Sequence, residues 1–598
     1  TVAKGRNKDA AKRKKSKQRK KCDPGFLAKA NGKTLRSYEV GALPIINHIL
    51  RRMRLPEILR EFLPASDART ELPAYRTLLV LLRNILVARE PIYGLGQWAS
   101  RFAPDLLDLY PDEVELLNDD RAGRALEQMF DALVTELTVT VVRQVMDEFR
   151  INMDELHNDS TSVSFYGAYD QAEEEHQVRG QPTLAITYGH SKDHRPDLKQ
   201  LLFILTVSED GGVPIYFTSA SGNTSDDTTH RATWDLLCQL AGRSDFLYVA
   251  DCKLASSENM NYIARKGRFI TVLPRSHKED KQFRKQLWEK PDSVRWDDVY
   301  TVTKKMRTRG IEHEVEVDRL TVVADEMVSS DGYRLLWYHS TKKAEHDARY
   351  RARSLQRASR ELTDLRERLS GPRTRFKSRK KVDEAVQEIL KTLKDETLLV
   401  VKVEEREEKT FRQANKGRPG KNTKYVKELK KRFEISWSIE QIRMAEAEAS
   451  DGMFPLISNV NEMTAEEILR AYKRQPIIEK RFSQLKTDFA VAPIYLKSVT
   501  RIQGLLAIYF LALIVQTLLE RELRQAMKRS KIKSLPLYPE ERACRCPTAR
   551  KVIDLFDGIQ RHVLKQPGRE TEVMVTALSP LQNQILELLG IPEKSYGL

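Results

Sequence analysis

Apolar positions recur at helical spacing through residues 38–150, in amphipathic stretches around Ile45–Phe62, Ala74–Arg89 and Arg121–Glu148. Pro, Gly and Asp clusters separate them, and residues three and four apart share one helix face. This segment reads as an all-helical domain. The period changes near residue 151, where short apolar runs alternate with turn signals: Asp154–Val163, Lys199–Ser208 and, after the Gly211-Gly212 turn, Val213–Ser219. A helical stretch (Asp226–Ala241), a strand-like run (Phe246–Val249), a helix (Ser256–Lys266) and another run (Phe269–Leu273) follow. Three strands, helix, strand, helix, strand is a mixed α/β order.

From 275 to 450 this order is interrupted. Alternating segments Val299–Thr303, Glu314–Val323 and Tyr333–Tyr338 predict a small β unit. A charged helix over 344–370 places Ala348, Leu355, Leu362 and Leu369 seven apart, and a second charged helix over 378–394 completes a helical hairpin. Strand signals return at Leu398–Val403, Phe433–Trp437 and Phe454–Val460. Thr464 and Glu467 form a capping box, Pro476 suits the first turn of a helix over 476–487, and an apolar helix over 497–525 is expected to be buried.

Charge adds a second theme. The chain carries 102 Lys and Arg against 85 Asp and Glu, a net +17. Residues 4–21 alone contribute +10, a polycation suited to phosphate, and residues 1–37 read as a disordered basic tail. Five scattered cysteines without a CxxC pair argue against a disulfide framework or a structural zinc site. The longest unbroken apolar run, Leu505–Val515, is shorter than the ~18 residues of a membrane span. No phosphate-loop motif GxxxxGK[ST] is present, so no nucleotide cofactor is expected. The expectation is a cytoplasmic, nucleoid-associated protein with no membrane partner.

Three carboxylates stand out by context. Asp159 lies in the strand-like HNDSTSV, Asp251 ends FLYVAD, and Glu479 sits on the helix YKRQPIIEKRFSQLK. Ligand chemistry collects at the C-terminal ends of strands in α/β sheets. Three converging acids could hold two divalent ions about 3.5–4 Å apart, and oxygen ligands favour Mg²⁺ or Mn²⁺ over zinc. On the helix, Glu479, Ser483 and Lys486 share one face, adjoining the apolar face of Ile478, Phe482 and Leu485. Asp154, Asp170 and Asp193 are weaker candidates for the first acid. His190 and His194 lack the Glu of HExxH, and His157 reads as a core or supporting residue.

The stretch from Tyr472 to Lys486 resembles the signature of bacterial insertion-sequence transposases of the DDE type: Tyr, two residues, Arg, three residues, Glu, six residues, Lys. Tyr472, Glu479 and Lys486 fall at those spacings, while Gln475 takes the Arg position with Arg474 beside it. The segment YGHSKDHRPDLKQL (188–201) is similar to a stretch in one branch of that group, and Asp159 and Asp251 occupy the places of its first and second acids. The resemblance spans residues 120–525. It implies a ribonuclease H-like α/β catalytic core with an insertion between Asp251 and Glu479; the segment patterns make that a large α+β insertion and place an all-helical domain ahead of the core. On this reading 38–150 binds DNA, 151–274 and 451–528 form the core, 275–450 the insertion and 529–598 a C-terminal helical unit.

The resemblance also implies cleavage at transposon ends and strand transfer into target DNA. Asp159, Asp251 and Glu479 would hold two Mg²⁺ or Mn²⁺ ions, with Tyr472, Arg474, Lys486, Lys192 and Arg195 touching DNA. The partners would be double-stranded DNA and a second copy in a synaptic homodimer. A nuclease or resolvase without strand transfer, and a non-catalytic DNA-binding descendant, are the alternatives. A helix-turn-helix within Gly94–Phe102, with Arg89 and Arg101 nearby, is a candidate reader of the ends.

Overall fold

The apolar stripes of the N-terminal third fold as expected into helices, with Leu43–Arg52, Leu55–Phe62, Ala74–Val87, Asp119–Leu133 and Leu137–Phe149 in succession. The computed structural model describes residues 26–597 apart from 31, 64–70, 134–135, 173, 309–310, 372–373, 394, 492–493 and 539. The basic run 4–21 lies outside the described residues. The chain is a mixed α/β protein with a large mixed sheet. It divides into one unit of residues 1–269 and 471–598 and another of 270–470.

In the first unit the N-terminal helices are not a self-contained all-helical domain. They share their core with the apolar helix Val499–Arg529 (α2), which packs on the helices 74–87 and 119–133. Gly504 permits that approach, since a Cβ there would lie 2.2 Å from the Leu126 carbonyl oxygen. An 18-residue window of α2 is apolar enough to cross a membrane, yet all of it is buried against other elements.

Strands Phe26–Ala30 and Lys33–Glu39 fall within the stretch read as tail. They join Gln560–Lys565 and Glu572–Val575 in a four-stranded sheet, so neither the tail to residue 37 nor the C-terminal helical unit stands as expected. Pairing of segments more than 500 residues apart leaves no local periodic signal. The expected helix-turn-helix is also absent among the described residues. Residues 92–99 form a 3₁₀ turn and a five-residue helix, too short to enter a groove.

The sheet of this unit runs through Glu155–Phe165 (β1), Lys199–Ser208 (β2), Pro214–Ser221 (β3) and Leu247–Ala250 (β4). β2 pairs antiparallel with both β1 and β3, whereas β4 runs parallel to β1. Nearly every residue of β1 and all of β2 are buried, as befits strands covered on both faces. Helix Pro476–Ser483 (α1) continues through a π-helical turn, Gln484–Asp488. It packs on β1 and β2.

A buried polar cluster fixes α1. Arg481, 1% exposed, donates to the Gly211 and Gly212 carbonyls at 2.6 and 2.9 Å and faces Glu520 of α2 at 3.3 Å. Glu520 also receives Lys480 at 2.8 Å and Gln484 at 2.9 Å.

In the second unit, Trp296–Thr308, Ile311–Val323, Arg334–Ser340 and Met453–Ser458 pair antiparallel in that order. Helices Thr341–Ser370 and Arg379–Leu390 bury Leu355, Leu362, Leu369, Val382, Val386 and Leu390 in one core. Beside them, Leu399–Gln413 and Tyr425–Ile439 form a two-stranded ribbon far longer than the apolar runs predict. Its outer half is highly charged, and cross-strand pairs such as Lys431–Glu405 (2.5 Å) and Arg432–Glu408 (2.8 Å) stand where apolar alternation would otherwise mark a strand. The Thr464 box forms as expected, with Thr464 N donating to Glu467 at 2.8 Å and Glu467 N to Thr464 Oγ1 at 3.2 Å.

Candidate active site

Parallel pairing of β1 and β4 sets the first two acids side by side. Asn158 is partnered with Ala250, so Asp159 and Asp251 each follow the last matched pair of two adjacent strands, whose axes lie about 4.8 Å apart. Asp251 stays in extended conformation and accepts from Lys253 N at 3.0 Å, capping the short turn that follows. Asp159 accepts from Ser160 N at 2.7 Å. Burial, with the charge of Asp251 adding to it, pushes its carboxyl up to about 6 despite the opposing Lys192.

Glu479 comes from α1, near its N-terminus, where the helix dipole favours a negative charge. It is solvent exposed, and no hydrogen bond or ion pair from the described residues engages it. The three acids have Tyr472 in common. Burial pushes that phenol up to about 12, and the negative charges of Asp251, Glu479 and Asp159 all push the same way. Among the described residues, no three His, Cys, Asp or Glu side chains are gathered as a ready metal cage.

Lys192 reaches into this site. Its ammonium lies 3.2 Å from Asp159 Oδ1, 3.1 Å from Asp226 Oδ2, 2.6 Å from Ser160 Oγ and 2.8 Å from the Ser160 carbonyl. Burial alone would lower its pKa, but Asp159 and Asp226 outweigh that and raise it. Ser160 Oγ in turn donates to Asp226 at 2.8 Å. Asp226, which opens the 3₁₀ turn before helix His230–Ala241, was not singled out from sequence. Its only signal was a pair of acids ahead of a helix.

The other expected contact residues are engaged within the protein. Arg474 forms a two-pronged pair with Glu155 of β1, with its Nε at 2.6 Å. Arg195 pairs with Asp197 at 2.7 and 2.8 Å. Lys486, on the π-helical turn, meets Asp193 at 2.5 Å.

Gln475 is buried and ties α1 to β1. Its amide donates to the Asn158 carbonyl at 3.1 Å, and its oxygen lies 2.8 Å from His157 Nδ1. His157 Nε2 lies 2.8 Å from Glu155, completing a chain that links Arg474, Glu155, His157 and Gln475 along β1 next to Asp159. His157 is therefore a core residue, as its place in the sequence suggested.

A model described as a domain of unknown function (DUF4277) matches residues 35–143. No curated protein matches the chain. Among solved structures, a piggyBac transposase synaptic complex with hairpin DNA is similar at 10% identity and a TM-score of 0.20. That match covers 50% of this chain and 59% of the other, so it spans less than two thirds of the latter's length.

Proposed function

We propose that this chain is a DNA transposase with a ribonuclease H-like core, cutting element ends and joining them to target DNA. The observation that supports this most is the in-register pair Asp159 and Asp251, with Glu479 sharing the Tyr472 hydroxyl as an electrostatic neighbour. The spacing of Tyr472, Glu479 and Lys486 supports it independently.

The donor set fits a hard divalent ion. It offers only oxygens, two of its carboxylates repel one another, and an ammonium already stands among the oxygens at Asp159. Asp159, Asp251 and Glu479 would hold Mg²⁺ or Mn²⁺, which when bound supplies an activated nucleophile and neutralises the leaving oxygen. The protein's own part is positioning. β1 and β4 set the two Asp residues level, and Gln475 and Arg481 anchor the Glu479 helix to that sheet. Tyr472 offers a hydroxyl to a phosphate among the acids. Lys486 and the polycation 4–21 supply positive charge for the DNA backbone.

The test is cleavage of DNA carrying the inverted repeats that flank the coding region, in Mg²⁺ or Mn²⁺. Nicks with 3′-hydroxyl ends and joined products are expected from the native chain. Asp159→Ala, Asp251→Ala and Glu479→Ala should each abolish both while DNA binding persists. Full cleavage by any of the three removes that residue from the site, and nicking without joined products reduces the reading to a nuclease.

A further inference from the structure

Two consecutive residues of the loop 188–198 engage the site with opposite charges. Lys192 places its ammonium against Asp159, Asp226 and both oxygens of Ser160. Asp193 places its carboxylate on Lys486 at 2.5 Å. The loop is held in this pose by its backbone: Lys192 N donates to Ser162 Oγ at 3.1 Å, Asp193 N to Ser191 Oγ at 3.3 Å, and His194 turns through the left-handed region at φ 56° before Pro196.

We propose that this loop is a built-in competitor for both substrates of the site, with Lys192 standing in for a divalent cation at Asp159 and Asp193 for a DNA phosphate at Lys486. The proposal rests on the reading of the acids given above. An ammonium ringed by carboxylate, hydroxyl and carbonyl oxygens occupies the kind of environment a hard cation takes, and a carboxylate on a half-buried lysine is the simplest mimic of a phosphate oxygen. Successive Cα atoms are about 3.8 Å apart, so a shift of the loop backbone that carries one of these residues carries the other. A phosphate reaching Lys486 would release Asp193, and the same movement would draw Lys192 from Asp159. Metal and DNA would then favour each other's binding, as linkage requires, and the acids would stay neutralised while no DNA is present.

The experiment measures Mn²⁺ binding to the full chain by electron paramagnetic resonance, with and without a short DNA duplex, alongside thermal melting to verify folding. In the native chain, DNA should tighten Mn²⁺ binding about tenfold or more. Lys192→Met, which keeps the aliphatic stem and removes the charge, should bind Mn²⁺ at least tenfold more tightly without DNA and lose most of the DNA effect. Asp193→Asn should shift DNA-free Mn²⁺ binding in the same direction by a smaller factor. Unchanged or weaker Mn²⁺ binding in Lys192→Met and Asp193→Asn overturns the competitor role. Adding Asp159→Asn to Lys192→Met separates the two ideas. Loss of Mn²⁺ binding is the expected result, whereas undiminished binding would mean that the acids themselves, and the competitor with them, have been misread.

Discussion

Asp159 and Asp251 stand at the same level on neighbouring parallel strands, each one residue past the matched pair Asn158 and Ala250. Two carboxylates in that relation repel when both are ionised, and one of them responds. Asp159 is pushed up to about 6 by burial first and by Asp251 second, after the opposing pull of Lys192. Perturbed carboxylates of this kind cluster at functional sites.

That relation gives a pH dependence with a definite sign. The folded carboxyl of Asp159 holds its proton more tightly than an ordinary Asp at 3.8. Stability of the metal-free protein is therefore gained as pH falls through 6 and is lost again above it. Asp159→Asn lacks this titration. Between pH 7.5 and 5, native protein should gain stability relative to Asp159→Asn, by about 1 kcal/mol. Thermal unfolding of both proteins in chelator checks this, and parallel pH profiles would refute it.

Gln475 gives a test of the position where the transposase signature has Arg. Its side chain is buried between His157 and the Asn158 carbonyl. Gln475→Ala should cost about 1–3 kcal/mol by orphaning those groups. Gln475→Arg, despite matching the signature, should cost more, because it buries a guanidinium beside an imidazole. Urea denaturation reads both. A Gln475→Arg protein as stable as the native one would show that the pocket can open to accept the charge.

Glu520 is fully buried and gathers Arg481, Lys480 and Gln484 around α1. Glu520→Gln leaves the buried Arg481 without its counter-charge. A loss of about 3–5 kcal/mol is expected. Cleavage should fall in proportion to the folded fraction alone if the cluster only anchors the helix, which activity measured below the melting transition would establish.

Tyr472→Phe should separate chemistry from folding. The half-buried ring keeps its place while its hydroxyl, set among the acids, is removed. Cleavage should drop about 10–100-fold, the value of a hydrogen bond to a charged group, with the melting temperature nearly unchanged. Single-turnover cleavage at saturating protein is the measurement. Native rates would leave the hydroxyl without a role.

Much of this was legible in the chain. Periodicity located the N-terminal helices, the strands around Asp159 and Asp251, and the Glu479 helix, because alternation and helical spacing are local properties of the side chains that face a core. Spacing along the chain likewise joined Tyr472, Glu479 and Lys486. Tertiary structure alone decided the rest, since it depends on segments distant in sequence. Strand register set Asp159 beside Asp251, and the turn before helix His230–Ala241 brought in Asp226. The loop at 188–198 turned Lys192 from an expected phosphate contact into a partner of the acids, and burial made Gln475 a tie between helix and sheet. The strands at 26–39 and the charged outer half of the ribbon, beyond the apolar runs at 398–403 and 433–437, carry no such signal because hydrogen bonds and cross-strand ion pairs, not a run of apolar residues, specify them.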